Sequence, residues 1–382
     1  MWKKMEVQAE YLISEKDFPE LLKTLLNEGI VDKIIGAEVK ISRKTKEEDR
    51  FSISPKIWEK ADEVETFPLS NLIAYGFSRT DSTSKSLQQI KNGTDQKIGV
   101  IARPCDTRAI IELAKIRQVN LDNLFIIGLE ERGLMLNVSR QLRKEKDFDA
   151  SKVVKEKVTK DGLVFLMEDG STKEMDFEIS ENCSRCVRKS PKVADLSVTD
   201  IGLPIDSDEV ILKVYSDKGG EILEKSKIKT KKLSDDVKKT HESEMEELIS
   251  KAQEKRKKDL EEWKSLSQKE KLDMLKKCTM CGMCIRACPV CYCVDCILQK
   301  KRKDKTIDNI SYQLTRIAHV ADRCVECGKC FNNCPMSLPL SLIFQSLNEQ
   351  FQEEFQYQAG ESVEDIPFRS GKAIREMELE KA

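Results

Sequence analysis

The sequence predicts an α/β core, a helical connector and a cysteine-rich C-terminal region, and three observations carry that prediction. Over the first 230 residues, β-branched apolar runs alternate with helical periods and glycine or proline breaks. A stretch dense in Lys and Glu follows, with neither Pro nor Gly between residues 234 and 262. Cysteines then recur at a mirrored spacing: Cys278, Cys281, Cys284 and Cys288-Pro289, then Cys324, Cys327, Cys330 and Cys334-Pro335. Each set is C-x2-C-x2-C-x3-C-P, in which three thiolates wrap one cubane and the fourth reaches the other cluster. Crossed ligation assigns Cys278, Cys281, Cys284 and Cys334 to one [4Fe-4S] cluster, and Cys324, Cys327, Cys330 and Cys288 to a second. A structural zinc site fits less well, because zinc needs one set of four ligands and no mirrored Cys-Pro. The fold class is therefore an α/β core followed by a helical connector and a C-terminal two-[4Fe-4S] ferredoxin-like region. Its expected divisions are residues 1–230, 231–276, 277–345 with an inserted helix, and a final helix and tail over 346–382.

In the core, Leu21, Leu22, Leu25 and Leu26 recur at helical spacing between Pro19 and Gly29, so a short helix is opened by Pro and closed by Gly. Residues 34–41 read as a strand, and residues 84–92 as a short helix stopped at Gly93. Residues 98–102 are a strand, residues 103–108 a turn, and residues 109–116 helical. Residues 124–129 form a second buried strand, with a helix over 134–142 after it. Strand, helix and strand in this order imply a parallel layer, whose ligands sit at the carboxyl ends of the strands. Arg103, Cys105 and Asp106 fall there, and with Arg108 they make an electropositive turn suited to a thiolate or an anion. Residues 210–215 read as a last strand, Lys218-Gly219-Gly220 as the turn after it, and the core closes near Lys229.

Cys105 alone reads equally as a small buried hydrophobe. Cys183 and Cys186 form a C-x2-C pair with Arg185 and Arg188 beside it, and with Cys105 they give three ligands for a third cluster in the core. A carboxylate, water or a later cysteine would be the fourth; free thiols or half of a zinc site are the alternatives. In the connector, Val237, Met245, Leu248, Ile249, Ala252 and Leu260 leave a thin apolar stripe on a solvated helix that brackets the core or a partner. Ser267-x-x-Glu270 is a capping box for a second helix running toward Cys278. Cys291, Cys293 and Cys296 lie between the repeats and either complete the core cluster or hold a fourth. Ile307, Ile310, Leu314 and Ile317 mark one helical face as a core stripe, His319 reads as a satisfied surface or core histidine, and a helix from Leu340 to about residue 356 has an apolar face.

On these motifs the chain resembles the β subunits of deazaflavin-linked hydrogenases and formate dehydrogenases, particularly those of formate dehydrogenases. The resemblance rests on residues 99–113 with Arg103-Pro104-Cys105-Asp106-x-Arg108-Ala109, and on Cys183-x2-Cys186 followed by Pro191-x2-Ala194-Asp195-Leu196-Ser197 and Gly202. It continues through Cys288-Pro289-x-Cys291-x-Cys293-x2-Cys296, Tyr312-Gln313-Leu314-Thr315-Arg316 and Arg323-Cys324-x2-Cys327-Gly328-x-Cys330. It implies an iron–sulfur flavoprotein with FAD in the core, relaying electrons between a catalytic dehydrogenase or hydrogenase partner and a deazaflavin, coenzyme F420, or another acceptor. Arg103, Asp106 and Arg108 are then the cofactor-binding residues, and Cys105, Cys183 and Cys186 cluster ligands beside the flavin. One departure is visible: the family begins with a glycine-rich turn before its first helix, whereas no glycine precedes Gly29 here. That favours a second reading, a flavin-free iron–sulfur adaptor wiring a dehydrogenase to a heterodisulfide-reductase-like or ferredoxin-dependent partner.

Composition narrows the field. The 66 basic and 67 acidic residues nearly cancel, and aromatics are 6%, which argues against nucleic acid as a ligand. No apolar run reaches the roughly 18 residues of a membrane span. Fourteen Cys without a secretory leader fit thiolates on iron in a reducing cytoplasm better than disulfides.

Overall fold

The computed structural model describes residues 5–42, 48–78, 80–90, 95–145, 147–160, 162–177, 179–366 and 368. In chain order the core carries β1 (Ala9–Ser14), α1 (Phe18–Asn27), β2 (Lys33–Ile41), β3 (Glu48–Trp58), α2 (Leu69–Tyr75), α3 (Thr83–Gln89), β4 (Ile98–Ala102), α4 (Pro104–Lys115) and β5 (Leu124–Leu129). It continues with α5 (Val138–Leu142), β6 (Val153–Val158), β7 (Leu163–Met167), β8 (Thr172–Met175), α6 (Glu181–Ser184), β9 (Leu196–Thr199), β10 (Glu209–Val214), α7 (Asp217–Ser226) and β11 (Thr230–Lys232). The connector is α8 (Asp235–Ser265) and α9 (Gln268–Lys276). The cysteine-rich region follows with α10 (Met283–Arg286), α11 (Ile297–Lys303), α12 (Asn309–Val320), α13 (Lys329–Asn332) and α14 (Leu340–Phe355).

Eight strands form one sheet in the order β11-β1-β10-β9-β5-β4-β2-β3. Its centre is parallel, as expected: β2 pairs with β4, β4 with β5, and β5 with β9. Antiparallel strands extend both edges. Helices α1 and α7 cover one face with Phe18, Leu21, Leu22 and Ile222, while α3 and α4 cover the other with Leu87, Ile110, Ile111 and Leu113. Leu22 is fully buried, so Leu22→Ala is expected to cost about 2–5 kcal/mol, read as a lower urea midpoint at unchanged slope.

Several local expectations shift. The helix after β4 starts at Pro104, so residues 104–108 are its first turns and only Arg103 precedes it; proline is tolerated at N1 because that N–H has no helical partner. Lys218-Gly219-Gly220 is not a turn but the start of α7, because Ser216 caps the Gly219 amide at 3.1 Å and satisfies the helix end. The helix expected over 134–142 is only Val138–Leu142. Helix α3 ends at Gln89; the expected stop at Gly93 lies outside the described residues. The core runs on to β11, which pairs with β1 and ends at Lys232. A separate three-stranded antiparallel sheet, β6-β7-β8, has no counterpart among the expected elements; its alternation Leu163, Phe165, Met167 is short and stands among Lys and Glu.

The capping box at Ser267 and Glu270 forms as expected. Helix α8 spans 31 residues and buries His241, Met245, Ala252, Leu260 and Trp263. It is fastened across the carboxyl ends of the central strands. His241 Nε2 lies 2.8 Å from Glu130 and Glu244 accepts from Arg132 at 2.7 Å, where a solvated stripe alone would have held it weakly. The expected stripe holds in part: Ile307 and Ile317 pack against the core, but Leu314 is exposed, and Tyr312, Gln313, Arg316 and Val320 are the buried residues of α12. Besides Tyr312 and Val320, its inner face turns donors toward thiols and polar backbone. His319 is exposed. Among the described residues, no helix is long and apolar enough to cross a membrane.

Candidate functional site

The two cysteine repeats fold alike. Gly282 (φ +79°) follows Cys281, and Gly328 (φ +70°) follows Cys327; both are left-handed, and each caps a four-residue helix, α10 or α13. The residue before each central cysteine is left-handed too, Met280 at +51° and Glu326 at +56°. Alternation of this kind curls successive N–H groups into an anion-binding concavity, as a sulfide-rich cluster needs. The Met280 amide donates to Cys278 Sγ at 3.2 Å and the Leu338 amide to Cys334 Sγ at 3.5 Å. A Cβ on Gly328 would lie 2.4 Å from the Asn182 side chain, so glycine also lets the core approach this loop.

Cys288 lies among the charges felt by Cys324, Cys327 and Cys330, and Cys278 and Cys281 among those felt by Cys284. Burial raises Cys327 and Cys330 to about 12, and it raises Cys324 as well, with like-charged neighbours adding to the effect. Thiolates packed so closely are stable only on a strong Lewis acid, so this donor set fits iron. Among the described residues no three Cys, His, Asp or Glu side chains close on a single ion; a cubane spreads its thiolates over separate irons and does not require that. Cys281 is exposed, whereas Cys284, Cys288, Cys324 and Cys330 are buried, which brings one edge of the first set to the surface. Beside it Arg302 donates to the carbonyl of Cys281 at 2.8 Å, and Lys276, Lys277, Lys300 and Lys301 add positive charge nearby in the chain.

The three additional cysteines differ in their surroundings. Cys291 donates to Cys288, which draws the Cys288 thiol down and pushes the Cys291 thiol up, and the Cys291 carbonyl accepts from Lys85 at 2.5 Å. Cys293 is exposed, next to Val294, which is 99% exposed; Cys296 is partly buried near Tyr312.

In the core, Arg103 leaves the carboxyl end of β4 and caps α4, while Glu131 leaves the end of β5. Arg103 donates to Glu131 through Nε at 2.6 Å and Nη2 at 2.5 Å, and both are buried. Cys105, Cys183, Cys186 and Cys327 line one small cavity together with Arg103, Glu131, Arg188, Lys189 and Glu326. Thus the three core cysteines do come together, and a thiol of the second ferredoxin-like set joins them. Burial raises the Cys105 and Cys183 thiols, against the opposing pull of Arg103. Lys189 donates to the carbonyls of Arg132 and Cys183 at 2.7 and 2.9 Å, fixing the loop that carries the C-x2-C pair.

A larger cavity of about 560 Å³ opens beside it, lined by Tyr75, Phe77, Arg103, Cys105, Leu134, Met135, Asn137, Arg140, Arg143, Cys327 and Lys329, among others. Its size and its mixture of apolar wall and cationic rim suit a cofactor. Of the three cofactor-binding candidates, Arg103 alone lines it. Asp106 accepts from Ser84 Oγ at 2.9 Å, and Arg108 is packed under Gly360, where among the described residues its three guanidinium nitrogens meet no acceptor. At 100° per residue, Asp106 is turned away from the direction of Cys105, whereas Arg108, at i+3, starts only 60° from it and is withdrawn by its packing under Gly360.

Sequence reasoning missed the ties between core and cysteine-rich region. Glu326 is buried under Arg188 at 3.1 Å and Arg256 at 2.6 Å, and it accepts from Asn348 at 2.9 Å. Burial would raise its carboxyl, but the two guanidinium groups outweigh that and hold it at about 2. Gln313 Nε2 reaches Cys278 Sγ at 2.9 Å, and Arg316 Nη2 reaches the Cys284 carbonyl at 3.2 Å. The available signal was polar residues at i and i+3 within an apolar helix.

A family model for the C terminus of the coenzyme F420 hydrogenase/dehydrogenase beta subunit matches residues 95–240, and a 4Fe-4S dicluster domain model matches residues 277–339. The F420-dependent formate dehydrogenase 1 subunit beta of Methanococcus maripaludis is 33% identical over 304 residues, covering 72% of this chain and 76% of the relative. The F420-dependent formate dehydrogenase subunit beta of Methanocaldococcus jannaschii is 30% identical over 285 residues, covering 70% and 74%. In fold, the chain is similar to a chain of the F420-reducing [NiFe] hydrogenase complex from Methanosarcina barkeri, with a TM-score of 0.52 at 16% identity over 69% of this chain and 94% of that one.

Proposed function

Because this chain belongs to the family of coenzyme F420-linked hydrogenase and dehydrogenase β subunits, we propose that it is the electron-relaying subunit of a formate dehydrogenase-like or hydrogenase-like complex, with clusters and a flavin between a catalytic partner and a deazaflavin or other acceptor. The observation that carries this reading is the position of Cys327. It belongs to the second ferredoxin-like repeat, yet it lines both cavities of the α/β core.

In this reading Cys278, Cys281, Cys284 and Cys334 hold the outer cluster, Cys288, Cys324, Cys327 and Cys330 the inner one, and Cys105, Cys183 and Cys186 a third next to the flavin. A bound flavin supplies the exchange between single electrons and a hydride. Arg103, fixed by Glu131, and Arg140, Arg143 and Lys329 on the rim orient its anionic groups. Tyr75, Phe77, Leu134 and Met135 exclude water from the wall. The exposed edge at Cys281, in its basic surround, is where a catalytic partner docks. Cys291, Cys293 and Cys296 remain available to a fourth cluster. The division at residues 230, 276 and 345 and a reducing cytoplasm belong to the same reading.

The adaptor reading has one observation of its own. Where the resemblance leads one to expect a glycine turn, this chain buries Phe18 and Pro19 in the core at the start of α1. Anaerobic purification followed by iron and flavin extraction separates the two. About twelve Fe, four for each of three cubanes, with one flavin per chain is the expected result. Iron without flavin would overturn the relay to a deazaflavin and leave the adaptor.

A further inference from the structure

We propose that Arg316 sets the reduction potentials of both ferredoxin-like clusters, by presenting a buried, unpaired guanidinium edge to thiolates of each. The inference rests on those two clusters being bound as above.

Arg316 is 2% exposed, and its Nη2 donates to the carbonyl of Cys284 at 3.2 Å. Among the described residues, no atom accepts from its Nε or Nη1. The ring of Phe344, from α14, lies 5.6 Å from the guanidinium carbon and limits its movement on that side. The charged groups it faces are the thiols of Cys288, Cys291, Cys284 and Cys330, so both crossed sets are represented. A buried cationic donor without an acceptor costs more than a neutral one, and such a group is retained where something anionic accepts from it. Two thiolate-ligated clusters supply that anion on the side where the chain supplies none. Gln313, one turn earlier on α12, already donates to Cys278 Sγ at 2.9 Å, so this helix turns a row of donors toward the cysteines.

The direction of the effect follows from charge. Reduction with dithionite adds one electron to each cluster, and no bond is made or broken. The guanidinium stays protonated throughout. A fixed positive charge favours the more negative, reduced form, so its removal lowers the potential.

EPR-monitored titration of the iron-replete full chain tests this. R316Q is expected to lower both midpoint potentials by roughly one decade in the reduction equilibrium, about 59 mV for a one-electron couple. R316K keeps the charge without the planar fork and is expected to shift both less. Unchanged potentials in both variants at full iron content would overturn the proposal. A second measurement needs no altered fold: with guanidino-15N arginine in the otherwise unaltered chain, pulsed EPR of the reduced clusters is expected to show a 15N coupling. R302K, R286K and R323K remove the labelled guanidinium groups beside Cys281, Cys284 and Cys324 as controls. Absence of coupling in the labelled chain overturns the proposal even where the Arg316 variants fail to hold iron. Wild-type protein without two clusters would instead refute the ligand reading on which the inference rests.

Discussion

Cys327→Ser is expected to remove about four Fe per chain and to lower electron transfer to the acceptor by more than the roughly 100-fold that loss of an outer-shell partner can cost a metal site. Cys327 belongs to the second repeat and also borders both core cavities, which Cys105 lines as well. Its thiol, raised to about 12 by burial and by Cys288 and Cys330, is unsuited to serve as a free thiolate at neutral pH, so a bound iron is what ionises it. Serine offers a harder, less acidic oxygen in a similar volume, and the fold is retained while the ligand is lost. Iron analysis combined with reduction of an artificial acceptor checks the outcome. Full iron and an unchanged rate would remove Cys327 from the electron path and with it the main support for the proposed relay.

Glu326→Gln is expected to destabilise the chain by about 3–5 kcal/mol, the cost of leaving buried charges without their counter-ion. Arg188 and Arg256 both close on this carboxylate, Arg108 lies near enough to lower it further, and Asn348 ties it to α14. Its backbone carbonyl also accepts from Asn182 of the core at 2.8 Å, so one residue of the cluster loop joins three parts of the molecule. The carboxyl has a folded value of about 2 against 4.5 when unperturbed. Between those values the unfolded chain binds more protons than the folded one, so stability rises with pH. The contribution is complete above pH 4.5 and is lost as pH falls through about 2, amounting to about 3 kcal/mol at 1.36 kcal/mol per unit. Urea unfolding of both proteins across pH 3–7 should therefore show the deficit of the variant shrinking toward the acid end. A deficit independent of pH would assign the loss to packing.

Much of this was legible in order along the chain because local rules act locally. The Pro19 start and Gly29 stop of α1, the strands at 98–102 and 124–129 and the Ser267–Glu270 capping box each depend on residues within one or two turns. The mirrored cysteines were legible for a different reason: a cubane fixes the spacing of its ligands within a tight loop, so chemistry is written directly into sequence distance. The inner face of α12 was misread because apolar periodicity marks a face that packs on carbon. Here Ile317 does pack on the core beside Tyr312 and Val320, but part of the buried face meets thiols and carbonyls, and there Gln313 and Arg316 stand in place of Leu314. The small sheet β6-β7-β8 escaped because its alternation is too short to rise above a charged background.

By itself, then, the sequence determined the order of core, connector and cysteine region and the spacing of the paired cysteine repeats, and it left the grouping of Cys105, Cys183 and Cys186 open. Tertiary structure alone decided that Cys327 stands against the core, that Glu131 fixes Arg103, that α8 is pinned through His241 and Glu130, and that Asp106 and Arg108 turn away from the cavity. These contacts join residues from about 20 to more than 200 positions apart in a packed core. No local pattern encodes which buried charge will meet which, because the partner is chosen by the packing that excludes water from both.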